Sequence, residues 1–326
     1  MKAILTLLVG MQVVGWAVPA DAAEAADAKP PVVVVVGAAG TPEYAAQFAA
    51  WTKLWEQASV KANAEFKAIG LDEGATSPDR TRIQEVLAAQ SQNTAAALWL
   101  VLIGHGTFDG RTPKFNLRGS DISARELARW LTPLQRPLVV IDATSSSAPF
   151  LKELSAPGRI VITATKSGFE QNYARFGQYL AEAIIDPKAD LDKDGQTSLL
   201  EAFLSASHSV QQFYAGAGRL ATEHALLDDN GDALGTPADW FRGIRPVQKA
   251  GEGASRDGYH AHQLHLLHSP TEAAMPPELR ARRDQLELQV MELRDARTSL
   301  AEDEYFSKLE SLLREIAQIY SQIDGQ

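Results

Sequence analysis

Five consecutive valines, residues 32–36, follow Pro30 and Pro31 and run into Gly37. A β-branched run this short, closed by proline and glycine, offers no polar face to water, so it predicts a strand covered on both sides. Strands of that kind belong to parallel sheets, because parallel neighbours are joined by helical crossovers that cover the two faces. The next segment meets this demand. Residues 43–59 carry Tyr44, Phe48, Trp51, Leu54 and Trp55 at helical spacing, an apolar stripe to lay on a sheet. The alternation continues with expected strands at 65–69, 97–103, 137–143 and 159–164, and helices at 79–90, 150–154, 176–185 and 199–214. Ser123 and Glu126 have capping-box spacing and open a further helix running to Leu131. The apolar run 264–267 is the candidate for a last strand. The expected fold class is α/β, a three-layer sandwich around a mainly parallel sheet spanning residues 31–270.

After Pro276 and Pro277 the pattern changes. Leu279, Leu286, Leu293 and Leu300 recur every seven residues with Val290 between them, and Tyr305, Leu309, Leu312, Ile316, Ile319 and Ile323 recur at alternating spacings of four and three. Two such stripes predict a coiled-coil-like α-helical hairpin over 277–323, with its turn at 301–304. It serves either as a docking or self-association arm for a protein partner or as a self-packed tail.

The first residues combine Lys2, an apolar stretch from Ala3 to Val18 and an Ala-x-Ala exit at Ala20 and Ala22. That is the plan of a secretory signal peptide over 1–22, followed by an alanine-rich linker over 23–30. The expectation is export, to the periplasm or the exterior, with no stable membrane span. The chain contains no cysteine, so disulfides, thiolate metal sites and cysteine catalysis are excluded. A net charge of −10 argues against a nucleic-acid partner, which needs a clustered positive field.

One segment carries a specific chemical signal. Asp190, Asp192, Asp194, Gly195, Gln196, Ser198 and Glu201 occupy every ligand position of the twelve-residue EF-hand-type loop. Carboxylates at alternate positions wrap a hard cation from one side, Gly195 permits the turn, Gln196 offers its carbonyl, and Glu201 closes bidentately. Ser198 acts directly or through water. The expected ion is Ca2+, in a structural role. Pro187 and Thr197 depart from a standard hand, and no second complete loop exists. The run Asp228, Asp229, Asn230, Gly231, Asp232 lacks a closing glutamate and reads as a turn.

Two further turns follow expected strands: Gly104-His105-Gly106 after 97–103, and Asp142-Ala143-Thr144-Ser145-Ser146-Ser147 after 137–143. Here the chain resembles the caspase and legumain clan of cysteine peptidases, in which His-Gly follows the third strand and Asp/Glu-Ala-Cys the fourth. The resemblance covers roughly 32–267 and implies the same sandwich fold. It places His105 at the general base, Gly106 at an oxyanion amide, and Thr144 at the nucleophile. Threonine there removes the family's thiolate chemistry. The expectation is a calcium-binding, non-catalytic scaffold. The alternative is a hydrolase in which Thr144, Ser145 or Ser146 works with His105, oriented by Asp109 or Asp142.

Weaker signals stand aside. His260, His262, His265 and His268 crowd nine residues, but without a carboxylate ligand they read as a last strand and its rim rather than a zinc, copper or nickel site. Gly37-Ala38-Ala39-Gly40 lacks the dinucleotide and phosphate-loop patterns.

Overall fold

The computed structural model describes residues 29–72, 74–91, 94–251 and 255–324. The expected signal peptide, 1–22, and the linker up to residue 28 lie outside the described residues.

The valine run is strand β1 (Pro31–Val36), buried along its whole length, and α1 (Pro42–Lys61) follows it, capped by Thr41. Next come β2 (Glu65–Ile69), α2 (Asp79–Ala88) and the fully buried β3 (Leu98–Ile103). A small antiparallel sheet then interrupts the alternation: β4 (Gly106–Phe108), β5 (Pro113–Phe115) and β6 (Ile122–Ser123). Ser123 and Glu126 form the capping box of α3 (Ala124–Leu131) in both directions. The series resumes with β7 (Leu138–Asp142), α4 (Ala148–Leu154), β8 (Arg159–Thr163), α5 (Phe176–Ala183) and α6 (Leu199–Gly216).

Two short strands, β9 (Leu226–Asp228) and β10 (Thr236–Pro237), complete a seven-stranded sheet in the order β10-β9-β8-β7-β3-β1-β2. The five strands from β8 to β2 are parallel, and β9 and β10 each run antiparallel to their inner neighbour. Alternate residues separate two apolar layers. Val32, Val34, Trp99, Val101, Val139 and Ile141 pack under α1, α5 and α6, while Val33, Val35, Leu100, Leu102 and Val140 pack under α2, α3 and α4. The chain is an α/β three-layer sandwich with a mainly parallel sheet, as the valine run demanded.

The expected last strand at 264–267 is corrected. A two-stranded ribbon, β11 (Phe241–Arg242) and β12 (Arg245–Pro246), is followed by the short helix α7 (Tyr259–Gln263) and by α8 (Pro270–Ala274). Between α7 and α8 the chain makes one antiparallel bridge, His265 to Ser198, with Leu199 N donating to the Leu264 carbonyl at 2.8 Å. The apolar run therefore pairs with the aspartate loop and never reaches the sheet, whose antiparallel end is formed by β9 and the edge strand β10.

The C-terminal hairpin is α9 (Pro277–Asp295) and α10 (Glu302–Asp324), packed side by side. Its turn falls earlier than 301–304: a 3-10 segment Arg297–Ser299 follows α9, so Leu300 leaves the helix. The hairpin is tied to the sandwich. Arg283 makes a buried fork on Glu272 (2.5 and 2.8 Å), Gln263 donates to the Asp284 carbonyl at 2.7 Å, and Tyr259 donates to Asp295 at 2.9 Å. No helix among the described residues is long and apolar enough to cross a membrane.

Candidate functional site

The aspartate loop leaves α5 through a 3-10 turn, Pro187–Ala189, and feeds α6. Its side chains fold back on its own amides. Asp190 accepts from Lys193 N (2.6 Å) and Gly195 N (3.1 Å), Asp192 from Asp194 N (3.2 Å), and Asp194 from Gln196 N (3.0 Å). Lys193 and Gly195 take φ of 66° and 91°, the left-handed region that glycine enters without strain. Oxygens of Asp190, Asp192 and Asp194 come within 4.8 Å of one another, so three of the expected ligands meet at one point. Burial raises the Asp192 carboxyl above its ordinary pKa, and the charges of Glu201 and Asp194 add to the effect. The Gln196 amide bridges outward from the loop: its Nε2 donates to Asp194 Oδ2 at 3.1 Å and its Oε1 accepts from Ser269 N at 3.2 Å.

Glu201 lies beneath the loop, 1% exposed. Its Oε1 accepts from Leu191 N (2.7 Å) and Asp192 N (3.2 Å), and its Oε2 from both the amide and the hydroxyl of Ser198, each at 2.8 Å. Ser198 caps α6 and Glu201 completes the capping box. One carboxylate thus closes the loop and starts the helix.

The Asp228 turn repeats this geometry. Asp228 accepts from Gly231 N (2.9 Å) and Ala233 N (3.0 Å), Asn230 from Asp232 N (2.8 Å), and Asp232 from Leu234 N (2.8 Å). Gly231 and Ala233 take φ of 78° and 64°. The closing carboxylate missing from the sequence pattern comes from Asp257, which accepts from Asp229 N (3.1 Å) and from the Thr236 hydroxyl (2.5 Å). Those donors correspond in loop position to Leu191 N and the Ser198 hydroxyl. Sequence reasoning missed Asp257 because it lies 21 residues beyond Thr236, at no prescribed spacing.

The histidine segment, read separately from the loop in the sequence, packs on it. His262 on α7 places Nε2 3.6 Å from Oδ2 of Asp192, and His265 sits on the bridge to Ser198. The carboxylates whose absence spoke against metal binding by these histidines stand beside them in the fold.

The turns after β3 and β7 also meet. Asp142 is fully buried, which raises its pKa to about 6. Its Oδ1 accepts from the Thr144 amide (3.1 Å) and hydroxyl (2.6 Å), while Oδ2 has no hydrogen-bond partner. Thr144, at the expected nucleophile position, is 0% exposed. Ser145 donates to the Gly106 carbonyl at 3.3 Å, and Ser146, at φ 56°, buries a hydroxyl without a partner. A side chain at Gly106 would come within 2.2 Å of the Ser145 carbonyl and 2.6 Å of the Thr144 hydroxyl, so close approach of the two turns itself requires that glycine.

His105 is engaged elsewhere. Its Nε2 lies 3.2 Å from the Ala39 carbonyl, and its ring stands edge-on among Tyr44, Phe48 and Tyr173. Asp109 accepts from Arg111 N and Thr112 N in its own turn, and Asp142 is held by Thr144, so each candidate orienter of the imidazole is bonded to other groups. The residues expected at a peptidase centre are neighbours in the fold but are not wired as nucleophile, base and orienter.

No protein-family model and no curated protein matches the chain. Among solved structures, the chain is similar to the Drosophila initiator caspase Dronc, at 15% identity and TM-score 0.40, over 61% of this chain and 79% of that one. It is similar to caspase-1 from Spodoptera frugiperda at 6% identity and TM-score 0.40, over 62% and 86%. Raptor of Chaetomium thermophilum is aligned over 49% of this chain and 18% of its own, at 10% identity and TM-score 0.34.

Proposed function

We propose that the chain is an exported, non-catalytic protein of caspase- and legumain-like type that works as an interaction scaffold, with a structural calcium ion held by the 190–201 loop. The observation that carries this reading is the convergence of Asp190, Asp192 and Asp194 above a buried closing carboxylate, Glu201. Asp190, Asp192 and Asp194 supply carboxylate oxygen, Glu201 supplies it in exchange for donors now on its two oxygens, Gln196 gives its carbonyl, and Ser198 its hydroxyl or a bridging water. Five of them sit on the link between α5 and α6 and Glu201 in the first turn of α6, so an ion there stiffens the contact of two core helices. The buried Thr144 hydroxyl, spent on Asp142, supports a non-catalytic role.

For the scaffold role, the hairpin supplies surface. Phe306, Leu313 and Tyr320 project from α10 at seven-residue intervals and are 41–48% exposed. A groove of about 490 Å³ floored by Leu293, Leu300 and Leu312 opens on the seam between α9 and α10. A protein partner or a second copy is the occupant such stripes suit.

Calorimetry on the chain lacking residues 1–22 tests the calcium reading. The expected result is one calcium site with a dissociation constant of about 10⁻⁴ to 10⁻³ M, lost in Glu201→Gln. Absence of both calcium heat and a thermal shift at millimolar calcium overturns it.

A further inference from the structure

Helix α10 carries two apolar stripes, and α9 covers only one of them. Tyr305 and Ile319 are buried in the seam with α9, and Leu309, Leu312 and Ile316 are partly covered there. Phe306, Leu313 and Tyr320 each follow a position of that stripe, so they stand about 100° round the helix from it. At 3.6 residues per turn, Phe306 and Tyr320 lie within about 20° of Leu313, one to each side, in a single straight row. The row stays exposed, because α10 packs on α9 and on no other element to a comparable extent. Arg297 lies 5.9 Å over the Phe306 ring, which is still 48% exposed.

The row is symmetric about Leu313. An aromatic ring stands seven residues away on either side, about 10.5 Å along the axis. A two-fold axis at Leu313 therefore sets a second α10 antiparallel to the first, with Leu313 on Leu313 and Phe306 on Tyr320 twice over. The charges beside the row obey the same symmetry. Glu310 and Arg314 lie on the flank away from α9, paired within the helix at 2.6 Å and largely exposed. About that axis, Glu310 of one copy falls within about 3 Å, along the helix, of Arg314 of the other, so the two internal pairs join into one alternating cluster. A parallel pairing loses this match, because it turns the charged flank of one helix toward the α9 side of the other. It also brings both acidic first turns, Glu302, Asp303 and Glu304, to the same end.

We propose that α10 is the contact between two copies of this chain, paired antiparallel about Leu313. This rests on the reading of the hairpin as an interaction surface and names its occupant. The row is the interface core, and Glu310 with Arg314 fixes the orientation.

The test is the mass of the chain lacking residues 1–22, followed by sedimentation equilibrium at a series of concentrations. A dimer that dissociates on dilution is expected. Leu313→Glu sets two carboxylates against each other at the axis and should weaken dimerisation about 100-fold with an unchanged helical circular dichroism spectrum. Arg314→Glu and Glu310→Arg should each weaken it about 10-fold alone, and an equal mixture of the two should recover a heterodimer. Recovery by mixing cannot come from repair within a helix, since each variant chain keeps like charges at 310 and 314. A monomer at every concentration overturns the proposal and leaves the hairpin surface to a different protein. A dimer that ignores Leu313→Glu, or charge variants that do not recover on mixing, overturns the antiparallel pairing while self-association stands. Hydrolytic turnover by a protein that passes these tests would instead overturn the non-catalytic reading and leave the pairing in place.

Discussion

The loops that begin at Asp190 and Asp228 share one backbone design and differ in how they are closed. Each begins with an aspartate that accepts two amides, from the third and fifth residues after it, and each holds left-handed residues at the same two positions. Glu201 closes the first from inside its own segment and takes four hydrogen bonds, two of them from the residue that caps α6. Asp257 closes the second from a distant segment, takes two, and faces Asp228 and Asp229. A local closure satisfies its carboxylate completely. A remote closure assembles the same shape but leaves negative charge crowded in a buried place, and burial with those neighbouring aspartates pushes the Asp257 carboxyl up to about 8.

Breaking the local closure should have the largest effect. Glu201→Ala strips acceptors from three amides and a hydroxyl, removing the carboxylate half of the α6 capping box, and should cost on the order of 3 kcal/mol in chemical denaturation without added metal. A loss below about 1 kcal/mol would mean that the loop does not depend on its closing carboxylate.

Asp257→Asn should act in the opposite direction. A carboxyl whose pKa is raised on folding binds its proton in the native state while the unfolded chain has released it. Its contribution is therefore full below the unfolded value, near 4, and is lost as pH rises toward about 8. Asparagine cannot ionise, so the variant should gain on the order of 1–2 kcal/mol over wild type between pH 4 and pH 8. Parallel stability curves for the two proteins across that window would remove the contrast with Glu201.

The smallest effects test the backbone. Gly195→Ala, at φ 91° with open space around it, should cost about 1 kcal/mol, and Ala233→Gly, at φ 64°, should return a similar amount. Equal signs for the two changes, read as shifts in thermal midpoint, would show that the loops differ in conformation.

Much of the sheet was legible because it rests on local pattern. The valine run, the Trp99 strand and the Ser123–Glu126 box each predict an element from a few adjacent residues, and each forms. The three short strands after His105 were not legible, since pairs of two or three residues carry no periodic signal. Residues 264–267 were misread because an apolar run looks alike whether it joins a sheet or bridges to a loop at Ser198. The aspartate pattern of 190–201 is read by spacing, whereas the surroundings of His105 and Thr144 depend on partners such as Ala39 and Asp142.

The sequence by itself determined the alternation that makes a buried parallel sheet, the exclusion of thiol chemistry through the absence of cysteine, and the twelve-residue aspartate loop. These follow from composition and from contacts within about one turn or strand of chain. Tertiary structure alone decided that Thr144 is buried on Asp142, that Asp257 closes the second loop, and that His262 and His265 stand against the first. Those contacts join residues tens of positions apart, and their pairing is set by how the layers pack.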